Sequence, residues 1–106
     1  MKKRPSHTVD IIKRLFSEYE MGTPSAMELA GLHDEIARLE RKWRMQLEEG
    51  SERRKPEDLA KLDAWYERMA RLIDAAIRRG SLQSDELVLL EQTLKKINHR
   101  KTETGT

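Results

Sequence analysis

The stretch that decides the fold runs from Thr23 to Gly80: TPSAMELAGLHDEIARLERKWRMQLEEGSERRKPEDLAKLDAWYERMARLIDAAIRRG. In its first half Leu29, Leu32, Ile36, Leu39 and Trp43 recur at alternating spacings of three and four residues. In its second half Leu59, Leu62, Tyr66, Met69, Ile73 and Ala76 do the same. At about 3.6 residues per turn this spacing draws one apolar stripe down each of two helices, and facing stripes exclude water. The connection GSERRK, Gly50 to Lys55, is too short for anything but an antiparallel neighbour. The reading is an antiparallel helical hairpin, about 24–49 and 56–79.

The ends of the two helices carry their own signals. Either Thr23 caps the first with Pro24 in its opening turn, or Ser25 caps it and Glu28 closes a capping box. Gly50 ends it. Gly31 lies inside it at a cost of about 1 kcal/mol relative to alanine, and close approach of a neighbouring helix is the simplest reason to keep it. Pro56, Glu57 and Asp58 open the second helix, while Arg78, Arg79 and Gly80 close it, a charge order that suits the helix dipole. Trp65 and Leu72 widen its apolar face, so it contacts more than one neighbour.

Working outward, Val9, Ile12, Phe16 and Tyr19, flanked by Ile11 and Leu15, predict a short N-terminal helix capped by Ser6 or Thr8 and stopped by Gly22. A helix this short does not stand alone in water and must pack on the hairpin. On the other side Ser81 or Ser84 caps a C-terminal helix with the stripe Leu87, Leu90, Leu94 and Ile97, leaving Val88 and Leu89 off the stripe. The fold class is therefore all-α, a hairpin completed into a small four-helix bundle. Residues 6–100 form the one domain, between a basic flexible tail over 1–5 and a flexible tail over 101–106. Five acid–base pairs sit four residues apart with the acid first: Asp34–Arg38, Glu40–Arg44, Glu67–Arg71, Asp74–Arg78 and Glu91–Lys95. Each contributes about 0.2–0.5 kcal/mol where it forms.

Composition agrees with this reading. A chain of 106 residues with 37% hydrophobic and 38% charged residues is polar for a globular domain, which raises disorder as an alternative. The net charge of +2 and the helical grouping of the apolar residues argue against it. There are no cysteines, so disulfides and thiolate metal sites are excluded. After the basic start MKKRP, residues Ser6, His7 and Asp10 stand where a secretory leader needs its apolar core. The longest aliphatic run, Leu87 to Leu90, is far short of the roughly 20 residues that cross a bilayer. A soluble, cytoplasmic protein with no membrane contact is the expectation.

Catalytic chemistry finds little footing. Most serines stand at expected caps or loops, and none lies in a strand–turn–helix elbow or a glycine-rich phosphate loop. No Glu-x-x-His occurs, and His7, His33 and His99 read as surface or structural histidines. Ser25 to Leu32 has the look of a first helix in a helix-turn-helix, but the stripe continues through Trp43 where the turn belongs. The chain reads as a non-enzyme with no cofactor, no metal and no small-molecule substrate.

Two binding readings remain. Trp43 and Tyr66 occupy stripe positions and read as core, whereas Trp65 is either core or part of a partner surface. With Leu72, Val88, Leu89, Ile11 and Leu15 it makes a surplus of apolar residues that a protein partner or a second copy would bury. This favours a helical interaction protein: a regulator, adaptor or subunit of an assembly. The alternative is a nucleic-acid-binding subunit. Alternating helices bring the start of the first, the GSERRK loop and the end of the last to one pole. That pole gathers Lys2, Lys3, Arg4, Arg53, Arg54, Lys55, Lys95, Lys96, Arg100 and Lys101 as candidate phosphate contacts.

Overall fold

Four helices follow one another in the computed structural model: α1 (His7–Met21), α2 (Ala26–Glu48), α3 (Pro56–Arg79) and α4 (Ser84–Gly105). It describes residues 7–52 and 54–105, with side chains for 8–52 and 54–101. The expected tail over 1–5 lies outside them. α4 continues to Gly105, so the segment from 101, expected as a flexible tail, is helical as far as it is described.

α2 and α3 form the expected hairpin at the centre. α1 packs on both of them, α4 also packs on both, and among the described residues α1 and α4 do not meet. The hairpin therefore has two covered sides. Trp65 and Arg68 belong to the side under α1: Trp65 lies against Phe16, and Arg68 covers the Phe16 ring. Asp63, Tyr66 and Glu67 belong to the side under α4, where Asp63 and Glu67 pair with Arg100 and Lys101. This is why the apolar face of α3 is wider than one stripe.

The core follows the spacing. Leu29, Leu32, Ile36, Leu39 and Trp43 of α2 are all buried, as are Leu62, Tyr66, Met69, Ile73 and Ala76 of α3, with Leu59 half-buried beside them. α1 adds Ile12, Phe16 and Tyr19. α4 adds Leu90 and Ile97, with Leu94 partly buried. Thr93 is buried among them and its hydroxyl donates to the Leu89 carbonyl at 2.9 Å, so no polar atom is orphaned by its burial.

Three helix starts use one device. Ser25 caps α2: its hydroxyl accepts from the Glu28 N–H at 3.1 Å, and Glu28 accepts from the Ser25 N–H at 2.8 Å. The capping-box reading therefore holds over the one with Thr23 and Pro24. At α3, with Pro56 opening the helix, Asp58 accepts from the Lys55 N–H at 3.1 Å. At α4 Glu86 accepts from the Gln83 N–H at 2.9 Å, and the Gln83 carbonyl receives the Leu87 N–H. Gln83, rather than Ser81 or Ser84, is the cap, and the Glu86 N–H that a serine cap would take is accepted instead by the Asp85 carboxylate at 2.9 Å. α2 ends on a left-handed Gly50 (φ 77°), with the Gly50 and Ser51 N–H groups donating back to Leu47 and Gln46. This arrangement closes the last carbonyls and requires a residue without a β-carbon strain penalty.

Gly31 is a correction. It is exposed, and a β-carbon built on it meets nothing within 4 Å, so no neighbouring helix approaches there. Of the five expected acid–base pairs, Glu40–Arg44 and Asp74–Arg78 form. Arg38 turns to Glu35 rather than Asp34, and Glu67 is taken by Lys101 rather than Arg71. Glu91 and Lys95 make no ion pair among the described residues. None of the described helices is long and apolar enough to cross a membrane.

Gly31→Ala should stabilise the fold by about 1 kcal/mol, since it removes backbone entropy from the unfolded chain and adds no clash. Thermal unfolding followed by circular dichroism should show a rise of about 5 °C. A fall that persists on dilution below micromolar concentration would mean that something does approach this position within the folded chain.

Candidate interaction surface

The sequence offered two candidate surfaces, an apolar surplus and a basic pole. Folding consumes much of both. Trp65 is 8% exposed, set between Phe16 and Trp43 with ring centroids 6.5 Å from each. It belongs to the core, which corrects its reading as a partner contact. Leu15, Leu72 and Leu89 are partly buried against the same core, and Ile11 is half-buried. Of the six residues only Val88, 50% exposed, stands clearly in water.

The large apolar side chains left exposed are instead methionines. Met21 is 86% exposed, Met27 78% and Met45 59%. Met21 and Met27 bracket the connection between α1 and α2, and Met45 lies near the end of α2. Sequence reasoning missed them because attention to the stripe passes over apolar residues on the opposite side of the same helix. The available signal was position: Met27 and Met45 fall away from Leu29, Ile36 and Trp43 on the helical wheel.

Of the expected pole, the structure brings the end of α4 to the hairpin: Arg100 reaches Glu40 late in α2 and Asp63 early in α3. Yet the two described arginines of that pole, Arg54 and Arg100, are already engaged. The Arg54 guanidinium lies 4.3 Å over the Trp43 ring and donates to Gln46 and Asp58, both at 3.0 Å. Arg100, its side chain 13% exposed, lies 4.1 Å over the Tyr66 ring. It donates to both oxygens of Glu40 and, at 2.7 Å, to Asp63. Lys101 pairs with Glu67 at 3.0 Å. Lys55, Lys95 and Lys96 are left at least partly in water and make no ion pair among the described residues. Lys2, Lys3, Arg4 and Arg53 lie outside the described residues.

The cluster around Glu40 is the most buried charge in the described structure. Its carboxylate accepts from the Tyr66 hydroxyl at 3.0 Å, from Arg100 and, within its own helix, from Arg44. Burial pushes the carboxyl up. The hydrogen bonds and charge of Arg100, backed by Arg44 and Tyr66, outweigh that and hold it below its ordinary value. Burial and the adjacent Glu40 charge push the Tyr66 hydroxyl the other way, so it stays protonated and donates. His33 lies edge-on to the same tyrosine at 6.0 Å, its Nδ1 3.2 Å from Asp34. This matches its structural reading. No buried side-chain polar atom among the described residues, the cluster included, lacks a partner. Among the described residues no three His, Asp or Glu side chains gather as a metal site would need.

Compared with known proteins, the chain matches no family model, no curated protein sequence and no solved structure.

Glu40→Gln should cost about 2–3 kcal/mol, somewhat less than the rupture of a fully buried pair because Asp63 still holds Arg100. The pH dependence has a definite sign. A carboxyl held low in the folded state contributes fully above its unfolded value near 4.5 and loses that contribution as pH falls through the folded value. Urea unfolding of the native sequence from about pH 5 down to pH 2 should therefore lose stability more steeply than Glu40→Gln. Equal slopes would contradict this account of Glu40.

Proposed function

We propose that this chain is a non-enzymatic interaction protein, a small helical regulator, adaptor or assembly subunit that works by presenting helix surfaces to another protein or to its own copy. The observation that supports it is the placement of Met21, Met27 and Met45. The core has room for Trp65 and for much of the other off-stripe surplus, yet these three large apolar side chains stay in water. Methionine suits such a surface, because an unbranched, polarisable side chain adapts to a partner at little steric cost. All three sit at or near the ends of helices, and the Ser25 box and the Gly50 turn fix the ends of α2, so the surface is presented on a rigid frame.

A second reading, contact with nucleic-acid phosphates, is favoured by one observation. Arg41, Lys42, Lys55, Lys95 and Lys96 are at least partly in water and make no ion pair among the described residues. It is the weaker reading, since Arg54 and Arg100 at the centre of the basic pole are already committed to aromatic rings and carboxylates.

Sedimentation at micromolar concentration, with affinity capture from cell extract, tests the main reading. The native sequence should self-associate or retain a protein partner, and the Met21→Asp, Met27→Asp, Met45→Asp variant should fold equally well and lose the association. A folded monomer that captures nothing would contradict it. For the second reading, a labelled oligonucleotide should bind at about 50 mM salt and release by about 200 mM. No binding at low salt would end it.

A further inference from the structure

The outer side of α2 has a pattern that neither the core nor the caps explain. Met27, Gly31, Asp34, Arg38, Arg41 and Met45 are all exposed. They succeed one another at spacings of four, three, four, three and four residues. Such spacing keeps them on one ridge of the helix, and Met27 and Met45, about five turns and roughly 27 Å apart, stand at the same angle about its axis. The ridge faces away from the stripe Leu29, Ile36 and Trp43, and no other described element covers it.

The order of spacings is the same read from either end, and that symmetry has a physical consequence. When two such ridges lie antiparallel about a two-fold axis, Met27 of one meets Met45 of the other. Asp34 meets Arg38, and Gly31 meets Arg41. Each contact is complementary: apolar against apolar, acid against base, and a long side chain against the position with none. The open space over Gly31 is what the Arg41 side chain of a second copy needs, which gives a role to a glycine that costs helix stability and touches nothing in its own chain. Lys42 meets Ala30 in the same arrangement, so neither Arg41 nor Lys42 faces a like charge.

Resting on the reading of this chain as an interaction protein, we propose that the α2 ridge is a homodimer interface, its occupant the α2 ridge of a second copy in antiparallel register. Alternating spacings of three and four favour a shallow crossing angle, about 20°. One helix from each copy makes a contact at the small end of protein interfaces, so the dimer forms at micromolar concentration rather than below it. Arg38 gives up its exposed intrahelical partner Glu35, or shares it, to reach Asp34 of the other copy.

Charge exchange across the two-fold axis tests this directly. Sedimentation equilibrium over about 5–200 µM should show the native chain dimerising. Asp34→Arg and Arg38→Asp should each be folded monomers with association at least about tenfold weaker, because each sets like charges against one another at both crossings. Mixed in equal amounts the two variants should form a heterodimer, since position 34 of each copy then faces an opposite charge at position 38 of the other. The double variant carrying both changes should dimerise alone for the same reason. Gly31→Leu, which fills the space for Arg41, should weaken the native dimer while leaving helix content unchanged. Overturning results are a native chain that is monomeric throughout the range, or a dimer indifferent to Gly31→Leu and not rescued by mixing. If the native chain is monomeric yet still retains a protein partner in the capture experiment, the dimer falls and the interaction reading stands.

Discussion

Arg100 lies over the ring of Tyr66 while its guanidinium is held by Glu40 and Asp63, and the attachment of α4 depends on that contact. Among the described residues of α4, Leu90 and Ile97 are the fully buried apolar side chains, with Leu89 and Leu94 partly buried, which is thin cover for a helix of 22 residues. The charged clamp adds to it, together with the Lys101–Glu67 pair. It also fixes register, since one buried carboxylate from α2 must meet one hydroxyl from α3 and one guanidinium from α4. A slip of one residue would leave Glu40 buried without its partners, at a cost of several kcal/mol.

The same solution recurs at the other seams. Arg68 covers Phe16 and is tied to Glu20 of α1, and Arg54 covers Trp43 and is tied to Asp58 of α3. In a chain with one Phe, two Trp and two Tyr, aromatic rings at the edge of the core cannot all be covered by aliphatic neighbours. The arginines laid over Phe16, Trp43 and Tyr66 cover these rings with a weakly hydrated group whose hydrogen bonds are taken by neighbouring carboxylates. A protein that is 38% charged can thus have a closed core.

This explains what could and could not be read in the sequence. The stripes, the hairpin, the Ser25–Glu28 box and the Gly50 and Gly80 stops were legible, because each rests on residues within a few positions of one another. The basic pole was legible as a gathering of charge but not as a surface. Whether Arg100 points to solvent or to Glu40, sixty positions away, is decided by packing and has no local signal. Trp65 was ambiguous for the same reason, since its place depends on Phe16 and Trp43 from two other helices. Gly31 and the exposed methionines were misread or passed over because a stripe directs attention inward, while Gly31, Met27 and Met45 stand on the opposite side of α2 and Met21 at the end of α1.

A guanidinium spent on a ring and a carboxylate in the core, rather than displayed, thus joins α4 to the hairpin. A double-mutant cycle on Glu40→Leu and Arg100→Leu, followed by urea unfolding, measures it most directly. The predicted result is strong coupling, with the double variant at least about 1.5 kcal/mol more stable than the sum of the single losses implies. Additivity within about 0.5 kcal/mol would contradict it and would return Arg100 to the surface.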